Sequence, residues 1–167
     1  MTRTTGVLGG AAALLALLLL WTYLRSGGDR LDPPDVLLER VVRGDSVKIQ
    51  TKAAQDMLQH GEEARPFARR ALAEYTGNDP AVLMPLVQGI AKQRDWRSIP
   101  RLFTLMEHDD PGVRGRAGAA VVTIMGADYG FRANDAPQVR RETLKNMRAI
   151  HTSLLPKLQK FYASQEE

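Results

Sequence analysis

The stretch that decides the fold is IPRLFTLMEHDDPGVRGRAGAAVVTIMG, residues 99 to 126. In its first half, four apolar side chains follow helical spacing: Ile99, Leu102, Phe103 and Met106. The pair Asp110-Pro111 then predicts the start of a second helix, because Asp caps free N–H groups and Pro is tolerated in the first helical turn. The stretch therefore predicts two helices joined by a short turn.

Three glycines after this turn, Gly112, Gly115 and Gly118, raise the alternative of a phosphate-binding loop. Such loops need G-x-x-x-x-G-K-[S/T] or G-x-G-x-x-G directly after a buried strand. Here the spacing is G-x-x-G-x-x-G, and the preceding element is predicted to be helical. One helical face would carry Val113, Ala117, Ala120, Val121 and Ile124. We therefore predict a helix whose glycines let a neighbouring helix approach closely.

Helical spacing continues through most of the chain from Pro34, and only 6% of the residues are aromatic. Further helices are predicted over residues 36–41, 47–58, 67–75 and 80–90. Towards the C-terminus, Pro137 begins one helix and Thr152-Ser153 caps another, with Pro156 in its first turn. The chain is therefore predicted to be all-α.

Helix start signals recur along the chain at Asp45-Ser46, Asp79-Pro80 and Asp110-Pro111, which are 34 and 31 residues apart. A period of this length is typical of helical-repeat proteins. The first and third units also agree internally, since each has an apolar valine followed six residues later by an Ala-Ala pair.

Residues 99–126 resemble a HEAT repeat of the short bacterial class. The resemblance rests on three elements of this sequence: Ile99, Pro100 and Leu102; Asp110, Val113 and Arg114; Ala119 and Ala120. It is weaker over 62–94 and ends after 126. The resemblance implies a short right-handed α-solenoid of two to three HEAT-like helix pairs over residues 34–126, with a helical C-terminal cap over 127–167. It also implies a surface that binds other macromolecules.

An uncharged apolar segment, residues 7–24, is long enough as a helix to cross a bilayer. Arg3, Arg25 and the aromatic residues Trp21 and Tyr23 suit the membrane interfaces. We predict a single-pass transmembrane anchor between an N-terminal tail, residues 1–6, and a linker, residues 25–33. A cleaved signal peptide is the alternative, although WTYLRSGG is a poor cleavage site. The charges leave open on which side of the membrane the remainder lies.

Composition excludes several kinds of site. The chain has no cysteine, which rules out disulfides and thiolate chemistry. Without Arg3 and Arg25 it carries 21 basic and 19 acidic residues, which is an ordinary mixed surface. The acidic run 107–110 is interpreted as a solvated turn with a helix cap rather than a metal site, and residues 128–139 lack the ligands of a calcium loop.

Five residues are candidates for contact with a partner: Trp96, Arg97, Arg101, Tyr129 and Phe131. For the three aromatic side chains, packing in the core is the competing interpretation. Eleven arginines could instead line one side of the array and bind phosphates: 65, 69, 70, 94, 97, 101, 114, 116, 140, 141 and 148. The near-neutral charge and the scarcity of aromatic residues favour a solvated face over such a nucleic-acid surface.

Together these patterns favour a membrane-tethered scaffold or protein-protein interaction module. We expect an unidentified protein partner, contact with the lipid bilayer through residues 7–24, and no nucleic acid, cofactor, metal ion, small-molecule substrate or catalysis. The alternatives are a nucleic-acid-binding helical array and an accessory subunit of an enzyme.

Overall fold

The computed structural model describes residues 31–163, and this range is all-helical, without a β-strand. Seven α-helices occur in it: α1 Pro34–Arg43, α2 Val47–Gln59, α3 Arg65–Glu74, α4 Pro80–Lys92, α5 Ile99–Leu105, α6 Pro111–Met125 and α7 Pro137–Ala163. Two short 3-10 helices, Gly61–Ala64 and Trp96–Ser98, precede α3 and α5. The prediction of an all-α chain is confirmed for these residues.

The predicted membrane anchor, residues 7–24, lies outside the described residues. Among the helices of residues 31–163, none combines the length and the apolar character needed to cross a bilayer.

The three recurring start signals begin helices as predicted. Ser46 Oγ accepts a hydrogen bond from Ile49 N at the start of α2, at 3.4 Å. Asp79 caps α4 through Ala81 N at 2.8 Å, and Asp110 caps α6 through Val113 N at 2.9 Å. Each side chain supplies an acceptor to a backbone N–H that has no partner within its own helix.

The first six helices pack as consecutive pairs: α1 with α2, α3 with α4, and α5 with α6. The second helices of the pairs contact one another in the order α2, α4, α6, while α1 packs on α3. Apolar side chains from every pair are fully buried, among them Leu37, Met57, Leu72, Leu86, Ile90 and Leu102. One continuous apolar core therefore runs through the three pairs.

Two of the three glycines of α6, Gly115 and Gly118, make room for a loop rather than for a helix. A Cβ atom added at Gly118 would lie 2.8 Å from Cδ1 of Phe131, and one at Gly115 would lie 3.6 Å from Cβ of Ala133. Both neighbours belong to residues 126–136, the irregular segment between α6 and α7. The prediction that these two glycines admit a neighbouring helix is therefore wrong, because the irregular segment occupies that side of α6.

The C-terminal part of the described chain forms one long helix where two were predicted. Thr152 Oγ1 donates to Arg148 O at 2.9 Å, and Ser153 Oγ donates to Ile150 O at 2.7 Å. Both hydroxyl groups thus bond to carbonyls of the preceding turn and do not cap a new helix. The prediction of a helix start at Thr152-Ser153 is wrong, and α7 continues through this point to Ala163.

The first half of α7 holds the helix against the rest of the fold. Leu144 and Met147 are almost fully buried, and His151 is 5% exposed. The imidazole of His151 meets the Phe103 ring edge to face, with 5.7 Å between ring centroids. Its Nε2 has no hydrogen-bond partner within residues 31–163, and burial lowers the pKa of His151 below its usual value.

Candidate functional site

A cleft of about 430 Å³ lies beside α3, the C-terminal end of α4 and the 3-10 helix Trp96–Ser98. Five cationic side chains line it: Arg65, Arg69, Lys92, Arg94 and Arg97. Two carboxylates, Glu62 and Asp95, and two aromatic rings, Trp96 and Phe161, complete most of the wall. We call this the basic cleft, because its lining has an excess of three positive charges.

A tight turn at the end of α4 brings several of these residues together. Asp95 N donates to Ile90 O, and Arg94 N donates to Ala91 O, both at 3.1 Å. Arg94 has φ of 47°, the left-handed conformation that usually falls to glycine at a helix C-terminus. The turn redirects the chain so that Lys92 before it and Arg97 after it line the same cleft.

Asp95 fixes one wall of the cleft to α3. Its carboxylate accepts two hydrogen bonds from Arg69, Nε at 2.9 Å and a terminal nitrogen at 2.6 Å, and a third from Ser98 Oγ at 2.5 Å. The Asp95 side chain is 2% exposed, and that of Arg69 is 28% exposed. This bidentate pair neutralises both charges and has a structural role.

The other cations of the cleft differ in their contacts. Glu62 forms an ion pair with Arg65. Within residues 31–163, Lys92 and Arg94 form no ion pair, and both are exposed. The Arg97 guanidinium lies over the Trp96 ring, 5.6 Å from its centroid. A cation and an aromatic ring are therefore in contact with each other in the lining of the cleft.

Two polar atoms beside the cleft lack hydrogen-bond partners among the described residues. Gln93 is 7% exposed, and its Nε2 donates to Gly61 O at 2.5 Å, but its Oε1 accepts no hydrogen bond. Nε of Arg65 is likewise buried without an acceptor. Each buried polar atom without a partner costs the fold about 1–3 kcal/mol.

The five residues predicted from the sequence do not form one site. Trp96 and Arg97 line the basic cleft, whereas Arg101 lies outside its lining and donates to Leu72 O at 3.2 Å and Tyr75 O at 3.4 Å. Those two carbonyls belong to the C-terminal end of α3, so Arg101 joins α5 to α3.

The two aromatic candidates of the irregular segment lie elsewhere in the fold. Phe131 is 9% exposed and packs against Gly118, and Tyr129 is half-buried against the core. Neither ring lines the basic cleft. For both residues the structure therefore supports packing, which was the competing interpretation.

Sequence reasoning missed the contributions of Lys92, Gln93 and Phe161 to the cleft. Three of its arginines, Arg65, Arg69 and Arg94, appeared only within the longer set considered for nucleic acid. Several other members of that set are held by internal hydrogen bonds: Arg70 with Glu74, Arg148 with Glu107, and Arg114 with the carbonyls of His108, Asp109 and Ala133. The positive charge is therefore concentrated locally and not spread along one side.

The arrangement suits recognition of charge. Within the described residues, no group of three or more acidic or histidine side chains is placed to hold a metal ion. In the acidic turn 107–110, Asp110 caps α6 and His108 Nδ1 accepts from Asp110 N at 3.0 Å. Comparison of the chain with protein-family models, with curated proteins and with solved structures finds no match. Function is therefore inferred from the chemistry of the basic cleft.

Proposed function

We propose that the chain is a membrane-tethered interaction module that binds a protein partner through the basic cleft. In this proposal residues 7–24 anchor the chain in the bilayer, and residues 34–126 form a short right-handed α-solenoid of HEAT-like helix pairs. The consecutive packing of α2, α4 and α6 supports the solenoid, because helical repeats bury their apolar faces against their neighbours. The long helix α7 is the proposed cap.

The observation that carries the proposal is the local charge of the cleft. Residues 29–167 have nearly balanced charge, yet one cleft collects five cations against two carboxylates. Trp96 lies beside these cations in the cleft lining. Tryptophan and arginine are among the residues that contribute most of the binding energy at protein interfaces. Such a surface recognises a partner without needing a catalytic group, so we expect no cofactor, small-molecule substrate or catalysis.

Site-specific photocrosslinking in living cells tests this function. The full chain would carry a photoreactive phenylalanine analogue at position 97, and a matched chain would carry it at Thr123, an exposed position of α6 outside the cleft. We expect one discrete protein adduct from position 97 and none from position 123. The double variant Lys92→Glu/Arg94→Glu, made in the position-97 chain, should lose the adduct. Equal adducts at both positions, or none at position 97, would contradict the proposal.

The proposed anchor has a separate test. Membranes from cells that produce the full chain would be washed with alkaline carbonate, which releases peripheral proteins. The full chain should remain in the pellet, and a variant without residues 7–24 should appear in the soluble fraction. Release of the full chain, or its recovery in cells as a form shortened at the N-terminus, would favour the cleaved signal peptide.

A further inference from the structure

Helix α7 is strongly basic, although the chain around it is not. Its 27 residues include six cations and one carboxylate, that of Glu142. The rest of residues 29–167 has 15 basic and 18 acidic residues. The nearly neutral total charge is therefore the sum of one strongly basic helix and a slightly acidic remainder.

Most of these cations lie on the outer side of α7. Arg140 donates to a backbone carbonyl of the irregular segment, and Arg148 forms an ion pair with Glu107 at 2.8 Å. The other four are exposed and form no ion pair within residues 31–163: Arg141, Lys145, Lys157 and Lys160. At 3.6 residues per turn, these four lie on the half of the helix that faces away from its buried side chains. We call this half the basic face.

Two exposed apolar side chains border the basic face. Val139 is 48% exposed and Ile150 is 38% exposed. Ile150 follows Val139 by eleven residues, and Lys157 follows Ile150 by seven, so whole numbers of turns place all three on one side of α7. Helices that lie at a membrane surface combine cations with apolar side chains in this way, because the cations meet headgroups while the apolar groups enter the acyl boundary.

We propose that the basic face of α7 lies against the headgroups of a bilayer that contains anionic lipids. This inference rests on the membrane anchor of the proposed function, and it concerns a surface other than the basic cleft. Nine residues, 25–33, separate the proposed anchor from α1, and a chain of this length spans at most about 32 Å. The anchor thus keeps α7 near the headgroups, where clusters of Lys and Arg are attracted to negative lipids.

The composition of the basic face favours lipid over nucleic acid. Its four cations are spread over about 29 Å of helix, at 1.5 Å per residue, and none has an aromatic neighbour on that face for stacking on bases. Between Arg148 and Lys157 the exposed residues are small or apolar, and the hydroxyl groups of Thr152 and Ser153 donate to carbonyls of α7 itself. A nucleic acid would gain no base contact here, whereas a bilayer also covers the apolar border.

Quenching of a fluorescent label by spin-labelled lipid tests the inference with the full chain reconstituted in vesicles. The chain has no cysteine, so Ala149→Cys on the basic face and Thr123→Cys on α6 each create a single labelling site at an exposed position. The vesicles would contain phosphatidylcholine with a nitroxide on its headgroup, alone or mixed with phosphatidylglycerol. We expect quenching at position 149 that requires phosphatidylglycerol and weakens as salt is added. Position 123 should give the same low quenching in both vesicles.

Charge variants identify the cations that are responsible. In the Ala149→Cys chain, Lys145→Gln/Lys157→Gln removes two charges of the basic face. The matched control, Lys48→Gln/Arg116→Gln, removes two exposed cations of α2 and α6. Each charge lost from the basic face should lower the ratio of surface-bound to unbound α7 about fivefold, and the control should leave this ratio unchanged. Circular dichroism should show the same helical signal for all variants, because the substituted side chains are exposed.

Three results would overturn the inference. The first is equal quenching at position 149 with and without phosphatidylglycerol, or equal effects of the two double variants. The second is binding of a labelled DNA duplex to the full chain that Lys145→Gln/Lys157→Gln abolishes, which would assign the face to nucleic acid. The third is a discrete protein adduct from a photoreactive residue at position 149 in cells, which would assign it to a protein partner.

The inference and the proposed anchor can fail separately. If the full chain resists alkaline carbonate but the label at position 149 is not quenched, the anchor stands and the inference is overturned. If carbonate releases the full chain, the labelled chain would be added to preformed vesicles. Quenching at position 149 that still requires phosphatidylglycerol would then support the lipid contact of the basic face without the anchor, and its absence would overturn both.

Discussion

Replacing Gly118 with alanine should destabilise the fold, while the same change at Gly115 should stabilise it. A Cβ atom at Gly118 would lie 2.8 Å from Cδ1 and 3.3 Å from Cε1 of Phe131, closer than the ~3.5–4.0 Å of a favourable carbon contact. At Gly115 the nearest atom, Cβ of Ala133, is 3.6 Å away, which is an ordinary contact. The two glycines lie in one helix and differ mainly in this neighbour.

The magnitude follows from two opposing effects. Alanine in place of glycine stabilises a helix interior by about 0.5–1 kcal/mol. Overpacking costs about 1–3 kcal/mol, and we expect a value in the upper half of that range because Phe131 is 9% exposed and its ring has little free space. Gly118→Ala should therefore lower the free energy of unfolding by about 1–2.5 kcal/mol. Gly115→Ala, which meets no such contact, should raise it by about 0.5–1 kcal/mol.

Urea-induced unfolding of residues 29–167, followed by circular dichroism, measures both free energies. The control is the double variant Gly118→Ala/Phe131→Leu, compared with Phe131→Leu alone. In the Phe131→Leu chain, which lacks the aromatic ring, Gly118→Ala should no longer lower the free energy of unfolding. The explanation fails if Gly118→Ala is at least as stable as the parent chain, or if its effect is the same with and without the Phe131 ring.

Three further predictions concern buried or strained groups. Asp95→Ala should lower the free energy of unfolding by about 2–4 kcal/mol in urea titrations, because Arg69 and Ser98 lose their acceptor; an effect as small as that of an exposed residue would contradict this role. The lowered pKa of His151 means that the unfolded chain binds its proton more tightly, so the melting temperature should fall as pH drops below about 6.5. His151→Gln should reduce this dependence, and an unchanged pH profile would exclude His151 as its source. Arg94→Gly should raise the free energy of unfolding in urea titrations by up to about 1 kcal/mol; a loss of stability would show that the turn is not strained.

The helix starts were predictable from the sequence because a cap is a local interaction. Ser46, Asp79 and Asp110 each reach a backbone N–H two or three residues further along the chain. Thr152 and Ser153 belong to the same class of residues, yet they do not cap a helix. The residues around them keep α7 helical, because the side chains that face the core stay on one face of the helix before and after Thr152 and Ser153.

The spacing along α7 contains the signal that would have predicted one helix. Leu144, Met147, His151, Leu154 and Leu158 follow one another at steps of three, four, three and four residues. The first three are buried and the last two are half-buried. An unbroken helical stripe of this kind outweighs a pair of capping residues, since ending the helix would turn the stripe away from the fold.

The site was less predictable than the helices, because its charges depend on distant partners. Arg69 pairs with Asp95, 26 residues away, and Arg101 bonds to the carbonyl of Leu72, 29 residues away. The residues next to an arginine in the sequence do not indicate whether its side chain will be held inside the fold or left at its surface. Composition could therefore count the cations, but only tertiary contacts show which of them are held inside the fold and which are left at its surface.

The turn at the end of α4 determines where the cleft lies. The turn must reverse the chain between two helices that pack in the core, so a left-handed residue is needed after Gln93 whether or not a ligand binds. Glycine would meet this requirement best, and it would contribute no charge. With arginine there, the fold accepts strain and places a third cation between Lys92 and Arg97. Under the proposed function, stability and binding through the cleft therefore make opposite demands on this residue, so Arg94→Gly should raise the free energy of unfolding and weaken the crosslink from position 97.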